Sequence, residues 1–223
     1  MDSIDHRPIW EQAYTILRKQ ILDGHLAPGT LLNLRELAAQ LSISVTPVRD
    51  AVLRLIAEGF IENSSNRDLH VTQLSIIEVE QTLGLRILLE TYALEQSAAK
   101  LTPDDFDKLA ELLAAAEKVI QEPSEATGRN YAELGRTFHH LLVAAAGNKP
   151  LLDLYNRLHP QAFLVIERVL HGFQPDRNKE DHLEHIAVFE ALRRHDYTEA
   201  VVLLKQHLEQ VRSYALDVYQ KQS

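Results

Sequence analysis

Three histidines in the C-terminal half of the chain, His139, His185 and His207, each stand beside an apolar helical stripe of a different segment. His139 precedes Leu142 and Val143 by one turn, His185 precedes Val188, Phe189 and Leu192, and His207 lies between Leu203-Leu204 and Val211. Neutral imidazoles converging from three helices can hold a divalent transition metal and leave positions open for water or an organic ligand. The same spacing also describes histidines hydrogen-bonded within a core, or placed on the polar edge of each stripe. A second group lies nearer the N-terminus. Ser44, Thr46 and Arg49 open a short amphipathic segment, and these residue types reach phosphates and base edges when a helix end enters a major groove.

That second group is positioned by residues 31–61, LLNLRELAAQLSISVTPVRDAVLRLIAEGFI. Leu34, Leu37, Ala38 and Leu41 recur at helical spacing until Ser42-Ile43-Ser44 interrupts them. A second helix then starts, with Ser44 or Thr46 as the capping acceptor and Pro47 in the first turn, where a missing N–H costs nothing. Its inner face is Val48, Ala51, Val52 and Leu55. Upstream, Pro8 to Asp23 is predicted as a helix with Ile9, Ala13, Ile16, Leu17 and Ile21 inward and Gly24 as its stop. Downstream, 59–62 and 70–72 predict two short strands around the polar loop 63–68, with Arg67 at the tip. The sum is a winged helix-turn-helix domain over residues 1–74. Such a module binds DNA, or serves protein contacts alone.

Composition bounds the rest. A chain of 223 residues that is 45% hydrophobic can build one small domain and one larger core. It has no cysteine, which excludes a cystine framework and any thiolate metal site. The polar start MDSIDHRPIWEQ and the lack of a long apolar run predict a cytoplasmic protein with no membrane partner. Net charge is −9, and the first 72 residues hold seven Lys and Arg against nine Asp and Glu. General polyanion binding is excluded by that balance, so a nucleic acid must be held through a local surface and a well-matched site.

From Ser75 onward the pattern is helical throughout, and six helices are predicted: about 75–100, 102–122, 125–146, 150–171 with a bend at Pro160, 177–194 and 197–220. Val79, Leu83, Ile87 and Leu94 are inner positions of the first, and Thr102-Pro103-Asp104-Asp105 is the start signal of the second. Gly147-Asn148 ends the third, and 172–176 is expected to be a loop. Short connections predict an all-α antiparallel bundle over 75–223, so the chain as a whole is expected to be mainly α.

The stretches GHLAPGTLLN, RELAAQLSIS and TPVRDAVLRLIAEGFI resemble, almost without gaps, the N-terminal domain of GntR-family transcriptional regulators. That resemblance implies that Arg35 and Arg49 contact DNA and that the helix beginning near Ser44 is the recognition helix. Val45 stands where the family commonly has arginine, and Asp68 where its wing commonly has glycine. A lost bidentate arginine removes about 1–3 kcal/mol of discrimination at one base pair.

Residues from Ser75 to the end resemble the FCD ligand-binding domain of the FadR branch, in its six-helix, VanR-like version. The stretches that carry the likeness are Leu85-Arg86-Ile87-Leu88-Leu89-Glu90, Phe138-His139 with Ala146-Gly147-Asn148, Glu184-His185, and Gln206-His207-Leu208. The resemblance implies that His139, His185 and His207 occupy the places of three histidines that surround a metal, together with an aspartate one turn before the first. The metal in turn helps bind a carboxylate effector. Gly135 stands at the aspartate place, which leaves three neutral imidazoles for zinc or nickel. Arg86 is implied to point into the effector cavity, whereas spacing alone pairs it with Glu90 as a surface bridge. Arg136 and His182 are further candidates for that cavity, and a solvated helix face accounts for them equally well.

The expected function is therefore a transcriptional repressor, not an enzyme. It is expected to bind a palindromic double-stranded operator as a homodimer under control of a small organic acid, with or without a divalent metal. Two other readings use the same histidines: a metal-dependent hydrolase or lyase, and a direct metal sensor. For the enzyme the sequence offers no HExxH, nucleophile elbow, Gly-rich phosphate loop or cysteine nucleophile.

Overall fold

The computed structural model describes residues 7–64, 68–121, 125–158 and 175–222, and the chain divides into two compact units, Met1–Leu74 and Ser75–Ser223. In the first unit α1 (Ile9–Leu22), α2 (Leu34–Leu41) and α3 (Val45–Ala57) pack with a three-stranded antiparallel sheet. The sheet order is β1 (Leu31–Leu32), β3 (Leu69–Val71), β2 (Ile61–Asn63), with Leu31 opposite His70 and Ile61 opposite Val71. Ala13, Leu17, Ile21, Val48, Ala51, Val52, Leu55, Phe60 and Val71 form its core, each no more than 2% exposed. This is the winged helix-turn-helix read from the sequence. It carries a third strand that two residues are too few to reveal by alternation.

Local chemistry sets the turn between α2 and α3. Asn33 caps α2 by accepting the N–H of Arg35 at 2.9 Å, and Ser42 ends it in the left-handed region at φ 56. The backbone N–H groups of Ser42 and Ile43 then close onto Ala39 and Ala38, satisfying two carbonyls at the helix end. Ser44 is the N-cap of α3, but its side chain makes no capping bond, contrary to the expected role. Ile9 and Ile16, expected inward, are 57% and 43% exposed because the stripe at positions 13, 17 and 21 already fills the contact with α3.

The second unit is all helical among the described residues: α4 (Ile76–Ser97) with a short 3-10 turn (Ala98–Lys100), α5 (Pro103–Gln121), α6 (Glu125–Ala144), α7 (149–158), α8 (Pro175–Arg193) and α9 (Tyr197–Gln222). The expected continuation of α7 to about 171, with its bend at Pro160, lies outside the described residues. Pro175 and Asp176, expected in a loop, open α8 instead, where a first-turn proline and acid suit the free N–H groups and the helix dipole. Ser75 and Glu78 form a capping box at α4, and Thr102 and Asp105 bond reciprocally at the start of α5. His195, at φ 60, turns the chain from α8 into α9, whose first turn is capped by Asp196 through the N–H of Glu199 at 3.0 Å.

α4 packs on α9 and α6, α5 on α6 and α8, and α8 on α9. The core they share includes Ile87, Leu94, Leu109, Phe138, Leu142, Val188, Leu192, Leu204 and Leu208. Among the described residues no helix is long and apolar enough to cross a membrane. Leu204 has no exposed surface at the middle of this core, so Leu204→Ala should cost about 2–5 kcal/mol in a urea titration of the purified protein.

Candidate functional site

On the first unit, the N-terminal end of α3 borders a cleft of about 470 Å³ lined by Asn33, Arg35, Val45, Arg49, Asp68 and Leu69 among others. Ser44, Thr46, Arg35 and Arg49 are all exposed. Arg54, further along α3, is engaged by Glu58 at 2.6 Å, whereas Arg35 and Arg49 take part in no ion pair among the described residues. Two uncommitted guanidiniums beside a helix N-terminus and an unengaged Ser44 hydroxyl make a surface suited to phosphate and base edges. Arg67 lies outside the described residues.

In the second unit three helices bring three imidazoles together. His139 on α6, His185 on α8 and His207 on α9 are each at most 3% exposed. His139 Nε2 is 3.0 Å from His185 Nε2 and 3.2 Å from His207 Nε2. The opposite ring nitrogens are held by carboxylates from the surrounding helices. His139 Nδ1 donates to Glu90 at 2.7 Å and His207 Nδ1 to Glu184 at 2.7 Å, while His185 Nδ1 stands 3.7 Å from Asp181. Bonds of this kind fix the proton on Nδ1 and turn the Nε2 lone pair inward.

Lone pairs so close repel unless a cation lies between them. Tetrahedral coordination with bonds of about 2.0–2.1 Å places ligand nitrogens about 3.3 Å apart, close to the spacing found here. The donor set therefore fits a divalent metal. Burial pushes His139 down to about 4 against the pull of Glu90, and burial likewise holds His185 well below the ordinary histidine range despite Asp181. Both rings are thus neutral at pH 7, the form that ligates metal.

The carboxylates are themselves stabilised. Burial would raise Glu90, but Arg86 and His139 hold it well below the usual carboxylate range, and Tyr155 donates to it at 3.3 Å. Asp181 is held low in the same sense by His185, His207, the Tyr131 hydroxyl at 2.7 Å and Arg177. Arg177 also reaches Glu184 at 3.3 Å.

Arg86 is not the surface bridge that spacing suggests. It is 7% exposed and pairs with buried Glu90 at 2.5 Å, one residue removed from His139 in the network. His182 is buried, with Nε2 2.9 Å from Glu117. Arg136 lies partly exposed against Glu133 on its own helix. A Cβ at Gly135 would lie 3.6 Å from His185 Cε1, so that position borders the centre without crowding it. Sequence reasoning missed Glu90, Asp181 and Glu184 as partners of the histidines. Asp181 was legible as the residue four before His185; the other two bonds join different helices, α4 to α6 and α8 to α9, which no spacing within one helix reveals.

Comparison with known proteins bears on the two units as a whole. Residues 9–71 match the bacterial regulatory proteins of the gntR family and residues 81–210 match the FCD domain. The chain is 30% identical, over 77% of its length and 74% of the relative's, to the probable D-xylose utilization operon transcriptional repressor of Paenarthrobacter nicotinovorans. It is 25% identical to the HTH-type transcriptional repressor RspR of Escherichia coli K12 over 97% of this chain and 93% of that one. The solved structure of E. coli McbR/YncC, 22% identical, superposes with a TM-score of 0.72 over 97% of this chain and all of that one. The chain belongs to the GntR family of bacterial transcriptional regulators, with a DNA-binding helix-turn-helix domain followed by an FCD domain.

Proposed function

We propose that this regulator is a repressor that binds a two-fold-related operator as a homodimer and is controlled by a small organic acid in its C-terminal unit. The observation that carries the ligand-responsive part is the inward turn of three Nε2 atoms, two of them locked by Nδ1–H bonds to carboxylates. His139, His185 and His207 would hold a divalent ion such as zinc or nickel, which when bound supplies a Lewis-acidic anchor for a carboxylate oxygen. Arg86 keeps Glu90 ionised and so keeps His139 oriented, and His182 and Arg136 are the remaining candidates for contact with the organic part. The repressor reading draws on the names of the two relatives. An effector works here only through unequal affinity for dimer geometries that do and do not match the operator, and a coupling of about 1–3 kcal/mol makes a useful switch.

Homodimer formation is supported by α4. Its inner face is buried in the bundle, yet Ile77, Leu85, Leu88 and Tyr92 leave an apolar stripe on the other side, exposed by 62%, 50%, 61% and 46%. Such a stripe is costly in water unless a second surface covers it. DNA is read by Arg35, Ser44, Thr46 and Arg49, with Arg67 of the wing loop in a supporting role.

Three measurements test these parts separately. Arg49→Ala should weaken binding to a duplex selected from a randomised pool by about ten- to one-hundred-fold in fluorescence anisotropy, with an unchanged circular dichroism spectrum. Unaltered affinity would refute the recognition-helix assignment. His185→Ala combined with His207→Ala should strip the metal found by elemental analysis of the purified protein, whereas Gly135→Asp should retain it more tightly against a chelator. Equal metal content in the double variant rejects the site. Leu88→Glu should convert the dimer to a monomer in sedimentation velocity, and a persistent dimer would move the interface away from α4.

A further inference from the structure

Two buried acceptor atoms on α8 have nothing to accept among the described residues. Asn178, Asp181, His182 and His185 recur at the spacing of one helix face, and all four are buried, at 5%, 6%, 3% and 3% exposure. Asp181 and His185 belong to the histidine centre, whereas Asn178 and His182 serve no contact within it. His182 Nε2 lies 2.9 Å from a carboxylate oxygen of Glu117 on α5. A carboxylate only accepts, so Nε2 carries a hydrogen toward Glu117, and in the neutral form of the ring Nδ1 is then a bare lone pair. Among the described residues that Nδ1 has no hydrogen-bond partner, and neither does Asn178 Oδ1.

Folding does not repay the desolvation of such atoms, and native interiors hold few of them. Here two stand one turn apart in a single row that leads to the histidine centre. Rise along a helix places His182 about 4.5 Å and Asn178 about 10 Å from His185 in the axial direction. Both atoms are acceptors, so the group that satisfies them must donate. A second carboxylate would meet two lone pairs with Glu117 behind one of them, and is disfavoured.

We propose that Asn178 and His182 select the effector, accepting hydrogen bonds from hydroxyl or amine groups of an organic acid of roughly six carbons whose carboxylate sits at the histidine centre. This inference rests on the effector reading given above. It names a ligand class: a hydroxylated or amino acid, in preference to a plain fatty acid or an unsubstituted dicarboxylate. Sites built to hydrogen-bond a substrate group reject the analogue that lacks it, because their own polar atoms are then left unpaired.

The test uses the full chain loaded with zinc and titrated calorimetrically with D-gluconate, 6-aminohexanoate, hexanoate and adipate. D-Gluconate or 6-aminohexanoate should bind about tenfold or more tighter than hexanoate and adipate. Asn178→Leu and His182→Phe should each erase most of that preference. Without ligand, Asn178→Leu should melt at the same temperature as the parent or higher, since an unpaired buried acceptor has gone. Hexanoate or adipate binding as tightly as the hydroxylated and amino probes would overturn the proposal. So would a preference that survives both substitutions, or a lower melting temperature for ligand-free Asn178→Leu. If zinc binds but none of the four acids does, the effector reading itself fails and this inference with it.

Discussion

The C-terminal unit depends on one electrostatic constraint: imidazole lone pairs brought face to face inside an apolar core. His139 and His207 hold that orientation only because Glu90 and Glu184 accept their outer N–H groups, and Glu90 is itself buried at 1% exposure. A carboxylate so placed needs its own counter-charge, which Arg86 supplies at 2.5 Å. Removing one partner from a buried pair costs about 3–5 kcal/mol, because the other is left charged without solvent. The chain from Arg86 through Glu90 to His139, and from Arg177 through Glu184 to His207, joins α4, α6, α8 and α9. Site and fold therefore share the same bonds. A ligand that shifts the centre by a fraction of an ångström acts on four helices at once, which is what a regulatory domain requires.

Much of this was legible in residue order. The 3.6-residue stripes located α1 to α6, α8 and α9 to within a few residues, because helices bury one face and the apolar positions must follow. Thr102-Pro103-Asp104-Asp105 marked the start of α5 because first-turn N–H groups want acceptors and tolerate proline. The three histidines could be nominated from their stripes, since each stripe had to face a common interior. Their mutual distances could not. For His139 and His207, whether Nε2 or Nδ1 faces inward is decided by carboxylates on other helices, and no local spacing encodes that. The Arg86–Glu90 pair shows the same limit: i,i+4 spacing gives the pairing but not the burial that changes its energetics. β1 escaped notice because a two-residue strand has no period.

The DNA-reading end follows a different economy. A chain of net charge −9 gains little from general attraction to phosphates, so a duplex has to be held through a local surface. The helix supplies unpaired first-turn N–H groups, and Arg35 and Arg49 line the same cleft. Val45 lines that cleft too, half-buried, where its methyl groups suit the methyl of a thymine better than the acceptor edge of a guanine.

Charge balance sets what the three-histidine centre can hold with glycine at 135. Among the described residues, Glu90, Asp181 and Glu184 surround the histidines with three negative charges, and Arg86 and Arg177 return two positive ones. One negative charge remains. A divalent ion on the three imidazoles turns that into one positive charge in a site closed to bulk water, where an uncompensated charge is expensive. An aspartate facing the ion from position 135 would cancel it within the protein. With Gly135, which has no side chain, a cancelling carboxylate would have to come from outside the protein. A divalent ion held there and an organic acid would then be mutually dependent, each supplying the charge the other needs to be buried.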